Sequence, residues 1–213
     1  FTGIPNLTLI TPSEWLANLV RGSFLKEYPV TVIHNGIDTT IFKPRLLEAQ
    51  ELRKKFCLEG KQVLLGVAAI WDQRKGLDDL LELSLKLKSY QQLVLIGLSK
   101  KQLNKLPKDI IGLTTTDSVE ELSTWYTLAD VFVNPTTQDN YPTTNLEAIA
   151  CGTPVVTYPT GGSIESTHMY GIVCSDRTVT SMLESLREVS HCKRNPDFNL
   201  SKEYFVENIL KLY

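Results

Sequence analysis

The sequence predicts an α/β fold: an open, Rossmann-like parallel sheet with helices on both faces. Eight short runs rich in Val, Ile and Leu show little polar alternation, which is typical of strands that helices cover on both sides. Helical segments separate these runs, and a repeated strand–helix–strand order implies right-handed crossovers and a parallel sheet. The predicted strands are Leu7–Ile10, Val30–His34, Val63–Ile70, Leu93–Ile96, Ile110–Leu113, Val131–Asn134, Val155–Tyr158 and Ile172–Cys174.

Capping boxes mark where several of the helices begin. A Ser or Thr followed three residues later by Glu or Gln occurs at Thr11–Glu14, at Ser99–Gln102 and at Ser118–Glu121. The apolar spacing of Leu77–Leu87 fits a helix face well in its first half and less well in its second. A helix over 145–151 is predicted to stop at the glycine that follows it.

Charge and cysteine content exclude several classes of protein. The 213 residues carry 22 Lys and Arg against 24 Asp and Glu, without a basic run, which argues against binding to nucleic acid or an anionic membrane surface. No apolar stretch approaches the roughly 18 residues that a membrane helix needs. The four cysteines and three histidines show no close-spaced metal-binding pattern. We therefore expect no metal and no cofactor, and we expect buried, reduced thiols in a cytoplasmic protein.

A domain boundary is predicted near the beginning of the chain. Residues 31–44 contain a strand, an Asn-Gly turn and a polar stretch closed by a proline, which indicates a linker. The chain begins at Phe1 without a signal-peptide pattern, so we expect a piece of something longer. The predicted parts are the remnant of a preceding domain (1–25), a linker with the strand that leads onward (26–59), a Rossmann-like domain (60–195), and a C-terminal tail helix (196–213) that follows a polar loop from Asn195 and covers Ser201–Leu212.

The loop after Val63–Ile70 combines two adjacent cations with a predicted helix start. Its sequence is WDQRKG, and the cations are Arg74 and Lys75. Cations oppose the positive end of a helix dipole, so this placement favours a bound anion such as a phosphate. The alternative is a solvated loop in which Gly76 is the turn residue.

The polar loop after Val131–Asn134 is the most unusual stretch of the chain. The backbone amides of Thr143, Thr144 and Asn145 are predicted to point out of a helix start and to form an anion site. Glu147 has two interpretations that the residues leave open. It is either a functional carboxylate or the end of a capping box that begins at Thr144.

A pair of glycines follows the strand Val155–Tyr158. Gly161 and Gly162 allow either close approach to a ligand or a tight turn. No GxGxxG follows a strand and no GxxxxGK[ST] occurs, which argues against a dinucleotide oxidoreductase and a P-loop NTPase. The sequence has no Asp-x-Asp pair, which could bind a metal that bridges to a diphosphate. It also has no GxSxG motif, which would indicate a hydrolase.

Taken together, these stretches resemble the retaining glycosyltransferases of family 4, which have the two-domain GT-B fold. The segment DNYPTTNLEAIACGTPVV is similar to the donor-site motif of that family, two acidic residues separated by seven and followed by A-x-A-x-G-x-P-V-V. The order of the other segments also agrees with that family. Along the chain it is VIHNGIDTTIFKP, GVAAIWDQRKG, LSTWYTLADVFVNP, the donor-site motif and TGGSIE. The resemblance covers about residues 6–170 and implies the C-terminal, donor-binding half, with the N-terminal half missing.

The resemblance implies roles for individual residues. Lys75 matches the lysine that holds the donor diphosphate, and Glu147 matches the acidic residue that binds the ribose hydroxyls. Asp139 stands where the family usually has a Glu that contacts the donor sugar, and its side chain, shorter by one methylene, reaches less far toward that sugar. The donor-binding set implied by the motif is Asp139, Asn140, Tyr141, Thr143, Thr144, Asn145 and Glu147, with Lys75, Arg74 and Asp139 as the catalytic group.

Two positions depart from the family pattern. Ala69 stands where the family often has an Arg, so one phosphate-binding cation is absent from its usual place and Arg74 is the candidate substitute. Trp71 is not a family feature, and stacking on a ligand is the role considered for it.

The implied activity is transfer of a sugar, with retention, from a nucleotide diphosphate sugar to an acceptor hydroxyl in polysaccharide or glycoconjugate synthesis. The implied partners are the donor, the missing N-terminal GT-B domain and an acceptor sugar or lipid-linked sugar. Nucleic acid is not expected, and the membrane is at most a peripheral partner at its inner face. Because the site would lie in a cleft between two halves, we expect this part alone to be inactive. The alternatives are a non-catalytic nucleotide-binding domain and a GT-B epimerase or phosphorylase.

Overall fold

A computed structural model describes residues 3–192 and 199–212, and it confirms the α/β fold with a parallel sheet. Six strands form the main sheet in the order β5-β4-β3-β6-β7-β8, and all of their pairings are parallel. Each predicted strand is present, within three residues at either end. The strands are β1 (Leu9–Thr11), β2 (Val30–Val32), β3 (Gln62–Val67), β4 (Gln91–Ile96), β5 (Ile111–Leu113), β6 (Val131–Asn134), β7 (Val155–Thr157) and β8 (Gly171–Val173).

Helices cover both faces of this sheet, as the apolar strands require. Successive strand residues alternate between the two faces, so Leu65 packs in one apolar cluster and Leu64 in the other. The first cluster includes Trp125 and Tyr126, and the second includes Leu80. The helices are α1 (Glu14–Arg21), α2 (Leu46–Lys55), α3 (Leu77–Ser84), α4 (Lys100–Leu103), α5 (Val119–Leu128), α6 (Thr143–Ala150), α7 (Ser163–Thr167), α8 (Val179–Glu188) and α9 (Lys202–Leu210).

A second, smaller sheet lies at the beginning of the chain. It consists of β1 and β2 in parallel, with α1 between them in sequence. The segment after β2 then pairs with the start of the tail, because the Ile37 amide donates to the Leu200 carbonyl at 2.8 Å and the Lys202 amide donates to the Ile37 carbonyl at 2.9 Å. The proposed domain limits stay a prediction, and the polar loop expected from Asn195 to residue 198 lies outside the described residues, as does Tyr213.

The predicted helix starts are correct in part. The box at Ser99 is formed in full, and Ser118 caps α5 through the Glu121 amide. The box at Thr11 is wrong: Thr11 ends β1, and Ser13 caps α1 by accepting from the Leu16 amide. The helix expected over residues 77–87 ends at residue 84, where its apolar spacing becomes irregular.

The cysteine prediction is correct in part. All four thiols are free, and Cys151 and Cys174 are buried as expected. Cys57, however, is exposed, in a turn where its φ is 53°, and Cys192 is only partly buried. Burial raises the pKa of the Cys151 thiol to about 11.

Candidate functional site

The candidate site lies where the order of strands in the sheet reverses. The chain runs outward from β3 through β4 to β5, and then returns to place β6 on the other side of β3. The loops that leave β3 and β6 therefore diverge at one edge of the sheet, and such a crevice is where open α/β sheets bind ligands. These two loops contain the predicted residues Lys75 and Asp139.

The two cations after β3 do not lie at the start of a long helix, contrary to the expectation. Arg74 and Lys75 end a short 3-10 turn that Asp72 caps by accepting from the Lys75 amide at 2.9 Å. Gly76 follows with φ 73°, and a side chain there would collide with the Pro135 carbonyl. Only then does α3 begin, with acidic residues in its first turn that suit its dipole. The glycine thus places the lysine against the loop after β6.

Lys75 and Asp139 form an ion pair in the crevice. Lys75 Nζ lies 2.7 Å from Asp139 Oδ2, and the side chains are 21% and 15% exposed. The second carboxylate oxygen of Asp139 accepts from the Tyr141 amide at 3.3 Å. The structure therefore brings these two predicted catalytic residues together, although they are 64 positions apart in the chain.

Arg74 lies along the same loop but is more exposed. Its carbonyl accepts from the Thr137 amide at 2.8 Å, and its guanidinium donates to the Gln138 carbonyl at 3.4 Å. Asp72 is 3.9 Å from the Arg74 Nε. The guanidinium thus contacts the residue next to Asp139, and Ala69 offers no cation of its own.

The N-terminus of α6 is open at its first two amides. Among the described residues, no acceptor is found for the backbone amides of Thr143 and Thr144, as predicted for an anion site. The prediction for Asn145 is wrong, because its amide donates to the Pro142 carbonyl at 3.2 Å. Its side chain is fully buried and bonds to Asn134, Ser166 and Thr167, so Asn145 supports the loop from below.

Glu147 does not cap α6. The residue before the helix is Pro142, which has no side-chain acceptor, and Thr144 is the second residue of the helix. Instead, Glu147 Oε2 accepts from the Tyr126 hydroxyl of α5 at 2.9 Å. Burial raises the pKa of Glu147, and hydrogen bonds from the Tyr126 and Thr143 side chains oppose part of that shift. The carboxylate is thus oriented by Tyr126 of α5 and by Thr143 at the start of its own helix.

The paired glycines after β7 support the site loop from the other side. The Gly162 amide donates to the Asp139 carbonyl at 3.0 Å. A Cβ on Gly161 would overlap the Asp139 carbonyl oxygen, and a Cβ on Gly162 would overlap that of Asn140. The close approach predicted for these glycines is therefore made to the backbone of the loop itself.

The remaining predicted residues divide into exposed and buried ones. Asn140 is exposed at the tip of the loop. Tyr141 is 3% exposed, and its ring stacks on His34 with centroids 4.8 Å apart. Its role in donor binding stays a prediction. Trp71 is also buried and donates from Nε1 to the Ile96 carbonyl at 2.9 Å, so it is a core residue and does not stack on a ligand.

Sequence reasoning missed the residues that hold the site from a distance. Tyr126 lies 21 positions before the glutamate it contacts, and His34, which stacks on Tyr141, lies in the predicted linker far from it in sequence. Glu165 reaches α1 across about 150 residues. The stretch TGGSIE pointed to the region of Glu165, but no local signal identified the partners.

Two further findings concern residues 3–192 and 199–212. Within these ranges, no three His, Cys, Asp or Glu side chains are grouped so that they could hold a metal ion. No helix there has both the length and the apolar character needed to cross a bilayer. Binding without a metal stays a prediction.

This fold and this crevice define the C-terminal half of a GT-B protein. The chain belongs to the family of glycosyl transferases group 1, whose sequence profile matches residues 61–191. It is 28% identical over 163 residues to a processive diacylglycerol alpha-glucosyltransferase from Acholeplasma laidlawii, an alignment that covers 72% of this chain and 48% of the relative.

Solved structures agree on the fold. Sucrose-phosphate synthase from Thermosynechococcus elongatus superposes with a TM-score of 0.73 at 19% identity, over 97% of this chain and 54% of that protein. HepE from Anabaena, in complex with UDP-glucose, superposes with a TM-score of 0.68 at 16% identity, over 95% of this chain and 63% of HepE. The chain thus spans about half the length of the relative and somewhat more of the two superposed proteins.

Proposed function

We propose that the protein is a retaining glycosyltransferase and that this chain is its donor-binding part. The donor is a nucleotide diphosphate sugar, and the transferred group is a hexose. One observation carries the proposal: at the reversal of the sheet, Lys75 from the loop after β3 pairs with Asp139, which lies in the loop that leads into the open start of α6. A cation beside unoccupied helix amides is the arrangement that binds a phosphate.

In the proposed reaction, the bond between the sugar and the diphosphate breaks, and negative charge develops on the departing diphosphate. Lys75, Arg74 and the amides of Thr143 and Thr144 are the donors that stabilise this charge once the diphosphate is bound. Glu147 accepts hydrogen bonds from the ribose hydroxyls, with its carboxylate held in place by Tyr126.

Asp139 has two tasks in this scheme. It pairs with Lys75, and it is near enough to the tip of the loop to contact the sugar beside Asn140. A diphosphate competes with Asp139 for the lysine, and the carboxylate that is released then accepts from a sugar hydroxyl. The acceptor hydroxyl attacks from the face that the diphosphate leaves and passes its proton to the departing diphosphate oxygen, which retains the configuration and requires no protein nucleophile.

The relatives support the acceptor and the setting that we propose. The Acholeplasma laidlawii relative is named a diacylglycerol glucosyltransferase, which favours a lipid or lipid-linked sugar as acceptor at the cytoplasmic face of a membrane, in glycoconjugate or polysaccharide synthesis. The other GT-B domain supplies the acceptor site. HepE was solved with UDP-glucose, so UDP-sugars are the first donors to test.

A panel of UDP-, GDP- and ADP-glucose tests donor binding by the shift in melting temperature. At about 100 times Kd, binding adds roughly 2.7 kcal/mol to stability, which is readily measured. We expect one nucleotide series to bind, equally in chelator and in Mg²⁺. Lys75→Ala should abolish most of the shift, whereas the control Lys86→Ala, which removes an exposed lysine paired with Glu82, should keep it.

Transfer itself is tested with the full-length protein and lipid acceptors. Donor binding without transfer would favour the non-catalytic nucleotide-binding domain. Conversion of the sugar nucleotide without an acceptor would favour an epimerase, and release of a sugar phosphate from a glycan would favour a phosphorylase. No shift with any nucleotide sugar would refute the proposed function.

A further inference from the structure

Glu165 closes the N-terminus of a helix that is remote from it in sequence. Its carboxylate accepts from the amides of Glu14 and Trp15, both at 2.9 Å, with one oxygen for each. The next amide of α1, that of Leu16, donates to Ser13 Oγ, and the Ala17 amide donates to the Ser13 carbonyl. The first three amides of α1, which have no partner within the helix backbone, are therefore all satisfied, and the Ala17 amide makes the first ordinary bond of the helix.

The same glutamate stands next to the support of the site loop. It lies in α7, three residues after Gly162, whose amide donates to the Asp139 carbonyl. The Ser166 amide in turn donates to the Gly162 carbonyl at 3.2 Å. Gly162 has no room for a Cβ against Asn140, so the glycine turn and the loop cannot slide independently. A continuous path of contacts thus runs from α1 through Glu165, Gly162 and Asp139 to Lys75.

We propose that Glu165 is a positioning residue of the donor site: by clamping α1, it fixes the glycine turn against which the Asp139 loop rests. This inference rests on the proposed function, because it concerns the same site. Glu165 does not touch the donor. It acts through Gly162 and Asp139, and it makes the placement of Lys75 depend on where α1 docks.

Ser13 provides a matched control. Both residues cap the same helix start, but Ser13 Oγ bonds within α1, whereas Glu165 joins α1 to α7. Ser13→Ala keeps the Cβ that lies against Gly162 and removes the hydroxyl alone. It should lower the melting temperature and leave the donor Kd, measured with UDP-glucose or whichever nucleotide sugar the panel identifies, unchanged.

Glu165→Gln should raise that Kd by about twofold to thirtyfold, the range of coupling through packed contacts. Glutamine offers one acceptor where two amides need one each, so the clamp is half lost. Glu165→Asp keeps a carboxylate and should restore part of the affinity. A Kd for Glu165→Gln equal to that of Ser13→Ala, at any melting temperature, would overturn the proposal.

A second readout needs no donor. Amide chemical shifts of Gly162 and Asn140 should move in ligand-free Glu165→Gln and stay in place in Ser13→Ala. If both sets stay in place, Glu165 is a helix cap alone. If the wild-type protein binds no nucleotide sugar while these shifts move as expected, the proposed function fails and the clamp stands. Should Glu165→Gln not fold, Glu165→Asp decides in the same two measurements.

Discussion

The starts of α1 and α6 have the same backbone chemistry and opposite occupancy. At α1, the carboxylate of Glu165 and the Ser13 side chain accept from the first three amides of the helix. At α6, Pro142 has no side-chain acceptor, and the amides of Thr143 and Thr144 have no partner among the described residues. Both ends carry the positive pole of a helix dipole.

The difference shows what separates a structural helix start from a candidate ligand site. A carboxylate built into the protein fills the first, so that end serves to join two parts of the chain. The start of α6 follows the loop in which Asp139 pairs with Lys75. Among the described residues, its first two amides have no acceptor. An anion from outside has a place at α6 and none at α1.

The largest effect is expected from removing the cation that accompanies the open end. Lys75→Ala in the full-length enzyme should lower turnover by about 10²–10³, as expected for loss of one fixed donor to a developing anion. The loss of the half-buried pair with Asp139 should cost about 0.5–1 kcal/mol of stability. Steady-state transfer and thermal unfolding measure the two effects. Unchanged turnover in a well-folded variant would remove the diphosphate role, and Lys86→Ala is the control.

A smaller effect is expected further along α6, where Glu147 faces Tyr126. Glu147→Gln should weaken donor binding by about 1–3 kcal/mol, the range for a hydrogen bond to a charged group. Tyr126→Phe removes only the hydroxyl that holds Glu147, and it should weaken binding less, because the carboxylate remains. Titration calorimetry with the donor compares them. Equal affinities for wild type and Glu147→Gln would assign the residue to structure.

A carboxylate can also be introduced at the open start of α6. Thr144→Asp places a carboxylate in the first turn of α6, which should stabilise the fold by about 0.3–1 kcal/mol through the helix dipole. The same charge should repel the diphosphate and weaken donor binding about tenfold. Thr144→Asn has nearly the same shape without the charge and should change neither. Tighter donor binding by Thr144→Asp would place the phosphate elsewhere.

The strands could be predicted from the sequence because each run of apolar residues forms a strand, and the central strands of the sheet are buried in the structure. Val63–Ile70 has the pattern of a covered strand, and β3 lies at the centre of the sheet with buried residues on both faces. The position of β6 beside β3 does not follow from local pattern, yet it is what brings Lys75 to Asp139.

The site was predictable where its residues act locally and not where they act across the fold. The open amides of Thr143 and Thr144 follow from a helix start. The prediction for Asn145 fails because its amide donates to the Pro142 carbonyl and its side chain belongs to a buried hydrogen-bond network with β6 and α7. The sequence from Thr144 to Glu147 matches a capping box, but the helix begins one residue earlier, so Thr144 is not its N-cap. No sequence pattern near Glu147 indicates that Tyr126 is its hydrogen-bond partner.

The smallest effect concerns the pH dependence that separates stability from binding at Glu147. Burial raises its pKa above the ordinary value of 4.5. A carboxyl with a raised pKa in the folded state stabilises the fold in its protonated form. That contribution is complete below pH 4.5 and is lost as the pH rises through the folded-state pKa. Donor binding needs the charged form, so affinity should rise over the same interval.

Unfolding by urea from pH 4.5 upward should therefore show wild type losing stability relative to Glu147→Gln, by about 1.4 kcal/mol for each unit that the pKa is raised. The donor affinity of wild type should increase across that interval, while that of Glu147→Gln stays level. Glu59→Gln, which removes the charge of an exposed glutamate, is the control and should follow wild type in both measurements. If the stability difference grew toward acid instead, the hydrogen bond from Tyr126 would stabilise the charged form of Glu147 by more than burial destabilises it.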